Sequence, residues 1–208
     1  MNGNCDVKIC DFGLSRVIGL GGDEPNDVKT MYVVSRWYRA PELILEYNEA
    51  SFPVDMWSVG CLFAEMLLPR SQRTPLFRGQ SSLKQLDLIM HFVGGQELID
   101  IKGSPRAAVY VHKMYQDVPK KNLREMFPTR WSDAALDLLD KMLQFNPDKR
   151  ITVEEALQHP FLHKLYDGEE ATCDKLYMWF DKASMGPHLK RLLYEAVVES
   201  PGNNNKQL

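Results

Sequence analysis

The chain has 208 residues, 25 Lys or Arg against 28 Asp or Glu, and a formal net charge of −3. That length can bury a core in one large domain or two small ones, and so even a charge balance excludes a broad nucleic-acid or anionic-membrane surface. Cys5, Cys10, Cys61 and Cys173 show no C-x-x-C spacing, and neither a charged-then-apolar leader nor a run of eighteen apolar residues occurs. A zinc site, a disulfide framework, secretion and membrane spanning are therefore not expected, and a reducing, intracellular setting is.

The first element is a short strand. Cys5 to Cys10 alternates, with Cys5, Val7 and Ile9 on one face. Gly13 to Thr30 is rich in Gly, Asp and Asn and contains Pro25, the composition of a long loop with a function. Asp55 to Leu68 has helical length and is apolar nearly all round, interrupted by Asp55, Ser58 and Glu65. Such a helix is expected in the middle of a core. Pro69 to Pro75 ends it as a loop.

Amphipathic helices follow. Leu83, Leu86, Met90 and Val93 share a face, and Ser132 caps a stripe of Ala135, Leu138, Leu139, Met142 and Leu143. Thr152 and Glu155 have capping-box spacing before a short helix that Pro160 stops. Pro187 suits a first helical position ahead of Leu189, Leu192, Leu193, Ala196 and Val197. From Pro201 the chain reads as a frayed tail. After one strand, the chain is helical.

Five blocks carry chemistry or its support. Asp11-Phe12-Gly13 puts a carboxylate at a strand-to-loop junction, where it can hold a hard cation over nucleotide phosphates; alone, the tripeptide reads as a polar turn far more readily than as a cation site. Thr30-Met31-Tyr32 leads through Ser35-Arg36-Trp37-Tyr38-Arg39 to Ala40-Pro41-Glu42. Asp55-Met56-Trp57-Ser58-Val59-Gly60 comes next, then Asn146 to Arg150 and Ala156-Leu157-Gln158-His159-Pro160-Phe161.

In this order the blocks resemble the large lobe of a protein kinase, and of the mitogen-activated group in particular. The likeness runs from about Asn4 to about Val198 and is loosest between Phe92 and Phe127. It implies a mainly α chain: the C-lobe portion of the protein-kinase-like α+β fold from the D-F-G motif onward, without N-lobe or catalytic loop. The expected divisions are a partial kinase domain over 1–161, an extension with an acidic docking segment and a final helix over 162–200, and a disordered tail over 201–208.

The resemblance also implies roles. Asp11 is the magnesium and nucleotide-phosphate ligand. Thr30 and Tyr32 are phosphorylation sites, each gaining nearly two negative charges. Arg16 receives the phosphothreonine, and Arg36 and Arg39 the phosphotyrosine. Ser35 supports the catalytic groups through its hydroxyl, standing where the group has Thr. Arg39 also turns a backbone carbonyl away, leaving a substrate N–H without an acceptor. Proline has no such N–H, which implies Ser/Thr-Pro substrates. Glu42 and Arg150 form a buried structural pair, and Asp55 braces the catalytic loop. Asp167, Glu169 and Glu170 form an acidic docking site beside an apolar groove containing Cys5. A second docking pocket retains Ile44, Leu45, Leu83 and Leu86 but has Ser82 for a tyrosine.

None of the 208 residues forms a G-x-G-x-x-G, a V-A-I-K-like strand or an H-R-D. The complete kinase would use ATP and magnesium, which this chain alone should bind poorly. Expected partners are an upstream dual-specificity kinase, phosphatases and substrates with basic docking motifs, but no nucleic acid or membrane. The expected location is cytoplasmic or nuclear. Two alternatives stay open: a truncated docking or decoy module without catalysis, and a non-functional gene remnant. Cys10 is expected to be a buried, inert thiol, and His159 a structural histidine.

Overall fold

The computed structural model describes residues 10–11, 35–45, 52–95, 105–128 and 130–165. All of them lie within the first unit, Met1–Asp167, of the two into which the chain divides. The expected opening strand, the long loop to Thr30 and the helix after Pro187 fall outside the described residues. Among those described, the regular elements are helical: α1 (Pro41–Ile44), α2 (Pro53–Leu67), α3 (Ser82–Val93), α4 (Pro105–Tyr115), α5 (Leu123–Met126), α6 (Asp133–Met142) and α7 (Val153–Gln158), with single 3-10 turns at Arg36–Tyr38, Arg70–Gln72 and Pro147–Lys149. The mainly α, kinase-lobe-like class read from the sequence holds. No helix among the described residues is long and apolar enough to cross a membrane.

Helix α2 is the centre. It begins at Pro53, whose fixed φ suits a first helical position. Trp57 is fully buried, stacked on Phe77 at 5.8 Å between ring centroids, and Phe77 meets Phe92 edge-on at 5.3 Å. Helix α6 packs directly on α2. A Cβ at Gly60 would stand 2.9 Å from both Met142 Cβ and Leu143 Cδ2, so the two backbones approach this closely only because position 60 has no side chain.

Helix α2 lies in the core, but one of its faces is open. Val59, Leu62 and Met66 form one stripe that is 47, 49 and 54% exposed, because no described element packs over it. The α3 face differs from its sequence reading. Gln85, Leu86, Ile89, Met90, Phe92 and Val93 are buried, while Leu83 is exposed. Leu83 shares a face with Leu86 and Met90 by register, but it stands in the first turn of α3, at the end of the buried stripe.

The caps read from the sequence are present. Ser132 accepts a hydrogen bond from the Ala135 N–H, and Thr152 and Glu155 bond each other's backbone N–H at 3.2 and 2.9 Å. His159 is a structural residue. It accepts from the Phe161 N–H through Nδ1 and donates through Nε2 to Asp137 at 2.8 Å. That bond ties the end of α7 to α6, and Lys141, also on α6, lies 2.7 Å from the same carboxylate.

Candidate functional site

The sequence-predicted residues that the fold brings together lie on one strip, Ser35 to Glu42, with Arg150 beneath it. The Arg36–Tyr38 turn closes when the Tyr38 and Arg39 N–H groups donate to the Ser35 and Arg36 carbonyls, each at 3.2 Å. Ala40 is extended, as a residue before proline must be, and Pro41 then opens α1. Ser35, Arg36 and Trp37 are exposed, Tyr38 is half-buried, and Arg39 and Ala40 are buried.

Three sets of contacts fix the strip. Underneath, Arg150 makes a forked pair with Glu42, Nη1 to Oε1 at 2.7 Å and Nη2 to Oε2 at 2.9 Å. It also donates to the Pro53 carbonyl at 2.6 Å and the Gln144 carbonyl at 3.1 Å, with its guanidinium 5.2 Å over the Trp57 ring. The pair is enclosed, with side-chain exposures of 0 and 2%, so its charges and donors are matched where water cannot serve them. On the α2 side, the Tyr38 hydroxyl donates to Glu65 at 2.7 Å and Ser58 Oγ donates to the Tyr38 carbonyl at 3.0 Å. Burial, followed by the Glu65 carboxylate, pushes the Tyr38 phenol up to about 12, so it remains a donor at neutral pH.

On the α3 side, Arg36 Nη1 donates to the Gln80 carbonyl at 2.9 Å, and the Arg78 guanidinium sits 5.3 Å over the Trp37 ring. The fully buried Gln85 donates to the Trp37 carbonyl at 3.2 Å and accepts from the Gly79 N–H at 2.9 Å. The sequence reading passed over Gln85 and the Tyr38–Glu65 bond. Gln85 carried a signal, as a polar residue in register with Leu86, Ile89 and Val93. Tyr38 and Glu65 carried none, being ordinary surface types 27 positions apart.

This geometry offers a tethered turn, exposed from Ser35 to Trp37 with basic Arg36 on it, against which an extended peptide can lie. Asp11 is exposed and has a left-handed backbone at φ 65°, a conformation Asp tolerates better than most residues. Magnesium is commonly held by one or two carboxylates plus phosphate oxygens and water, and Asp11 fits one such ligand. Among the described residues no group of three His, Cys, Asp or Glu could hold a metal by itself.

Asp55 stands exposed in the first turn of α2, where a carboxylate favours the helix dipole. Leu45 and Leu86 are buried and Ile44 half-buried, but exposed Leu83 stands apart from that apolar group. Cys10 is exposed, which corrects the expectation of a buried thiol. The inert thiol is Cys61, pushed up to about 12 by burial. Cys5, Arg16, Thr30, Tyr32, Asp167, Glu169 and Glu170 lie outside the described residues.

Comparison with known proteins gives the family. The protein kinase domain family matches residues 1–162. The mitogen-activated protein kinase mpkA of Aspergillus fumigatus is 41% identical over 202 residues, covering 95% of this chain and 46% of that protein. Mitogen-activated protein kinase 5 of Oryza sativa is 42% identical over 210 residues, 98% of this chain and 53% of that protein. The mitogen-activated protein kinase homolog NTF6 of Nicotiana tabacum is 42% identical over 211 residues, 99% of this chain and 54% of that protein. The chain thus spans about half the length of these relatives.

Proposed function

Since this chain belongs to the protein kinase family, we propose that it is the activation segment and helical lobe of a mitogen-activated-type Ser/Thr kinase. The complete enzyme transfers the γ-phosphate of ATP to Ser/Thr-Pro sites in other proteins. The observation that carries this reading is the Ser35–Glu42 strip, anchored below by Arg150 and clamped on either side. A strip that is exposed from Ser35 to Trp37 and buried from Arg39 to Glu42 offers a fixed backbone, which aligning a peptide hydroxyl for in-line transfer needs.

A second observation supports the larger extent. Val59, Leu62 and Met66 are about half exposed on the central helix, at a cost on the order of 1 kcal/mol each. An apolar stripe on a core helix is explained if a further part of the folded lobe covers it.

In this reading Thr30 and Tyr32 are phosphorylated by an upstream dual-specificity kinase and reversed by phosphatases. The added charges order the segment through Arg16, Arg36 and Arg39. Asp11 holds magnesium, which when bound neutralises charge on the transferring phosphoryl group. Asp167, Glu169, Glu170 and Cys5 receive basic docking motifs of partners. The groups that grip the nucleotide and accept the substrate proton are not among these 208 residues, so the chain alone is inactive.

The test extends the reading frame upstream of Met1 and assays the longer protein, activated by a dual-specificity kinase, on a Ser-Pro peptide and its Ser-Ala twin. Phosphorylation of the first and little of the second is expected. An upstream frame with no H-R-D and no strand lysine, or equal use of the two peptides, would refute it.

A further inference from the structure

Glutamine is rarely buried without a task, because an amide taken from water must find partners for both ends. Gln85 is fully buried one turn into α3, and its two ends face different pieces of chain. Its Nε2 donates to the Trp37 carbonyl, 48 positions away, and its Oε1 accepts the Gly79 N–H. Both partners are backbone, so the amide joins two loops independently of their side chains. The 78–80 loop then reaches the same turn twice more, through Arg78 over Trp37 and through the Gln80 carbonyl accepting from Arg36. Gly79 permits the approach. A Cβ there would lie 2.5 Å from the Gln85 N and Cα atoms, inside any allowed contact.

The geometry points to Gln85 as a positioning residue. It locks the exposed Arg36–Tyr38 turn to α3 and so holds a bound peptide's platform in one conformation before the peptide arrives. The structural half of this proposal stands on the contacts alone, and the enzymatic half rests on the kinase reading above. A turn released from α3 populates its binding-competent shape for only a fraction of the time, and apparent affinity falls by that fraction. Loss of binding that is equal in ground and transition states raises KM and leaves kcat alone.

Gln85→Glu supplies a readout that simple core damage does not share. Neutral glutamic acid has the same shape and can accept from Gly79 while donating to the Trp37 carbonyl. The ionised form keeps the acceptor, loses the donor and sets a charge against that carbonyl. Burial favours the neutral acid, so the clamp should open as pH rises. Hydrogen exchange of the full chain, compared with wild type at each pH from 5.5 to 8.5, measures this. At pH 8.5 protection of the Tyr38 and Arg39 amides should be lower in the variant by about tenfold. It should return toward wild type on acidification, with protection within α6 unchanged throughout.

Gln85→Leu, which cannot bond either loop, should lose the same protection at every pH, and Gly79→Ala should mimic it by forcing the loop off α3. Equal protection of Tyr38 and Arg39 in all variants overturns the proposal. A loss spread evenly over α2, α6 and the turn also overturns it, by making Gln85 a general core residue. In the extended protein, Gln85→Leu should raise peptide KM several-fold with kcat within about twofold. An inactive wild-type extended protein would count against the kinase reading, while the exchange data still decide the role of Gln85.

Discussion

Arg150→Met tests how far the strip depends on what lies beneath it. The substitution keeps apolar bulk against Trp57 but removes the cation from an enclosed pair with side-chain exposures of 0 and 2%. The Glu42 carboxylate loses both arms of the fork, at 2.7 and 2.9 Å, and the Pro53 and Gln144 carbonyls lose a donor. Breaking one side of a buried pair costs about 3–5 kcal/mol, and each orphaned carbonyl adds about 1 kcal/mol or more. A domain of this size has about 5–15 kcal/mol in all. With a urea slope of about 2 kcal/mol per molar, the unfolding midpoint followed by circular dichroism should fall by about 2.5 M or more, or the transition should vanish. The double variant Glu42→Gln/Arg150→Met carries no orphaned charge and should recover part of the loss, a coupling that a double-mutant cycle measures directly. A midpoint shift under 0.5 M for Arg150→Met, or additive effects in the cycle, would refute the reasoning.

Three further outcomes are expected. Met66→Lys on the exposed α2 stripe should change the stability of this chain by less than about 0.5 kcal/mol, yet destabilise the upstream-extended protein clearly, as paired melting curves would report. Hydrogen bonds from Lys141 and then His159 hold the Asp137 carboxyl below its usual range. Its stabilisation is therefore present above the ordinary carboxylate value of about 4 and lost as pH falls through the depressed value, so Asp137→Asn should flatten the acid limb of the stability–pH curve. At pH 8, iodoacetamide should modify exposed Cys10 and spare Cys61, whose thiol is pushed up to about 12; peptide mapping before and after denaturation checks this.

The sequence was most legible where a local rule fixes structure. Ser132, Thr152 with Glu155, and Pro160 marked helix ends because a cap is decided by residues within one turn of each other. The Glu42–Arg150 pair spans 108 positions, beyond any periodicity, and only the resemblance of whole motifs joined its halves. What escaped notice depended on packing partners. Gln85 has the composition of a solvated helix position, and only its register with Leu86 and Ile89 shows that it points inward. The all-round apolar character of α2 was read correctly from Met56, Trp57, Val59, Leu62 and Met66, but composition does not say which face a neighbour covers. Helix α4 was missed because, among its described side chains, Val111 and Tyr115 are the buried ones, too sparse a stripe to stand out.

The central claim is that this chain carries the peptide platform and its switchable segment, while the groups that grip the nucleotide lie elsewhere in a longer protein. The direct measurement is transfer of labelled γ-phosphate to a Ser-Pro peptide by this chain and by its upstream-extended form, both freed of contaminating kinases and treated with the same activating kinase. Transfer by the extended form alone, abolished there by Asp11→Asn, is the expected result. Turnover by the 208-residue chain itself, equally sensitive to Asp11→Asn, would contradict it.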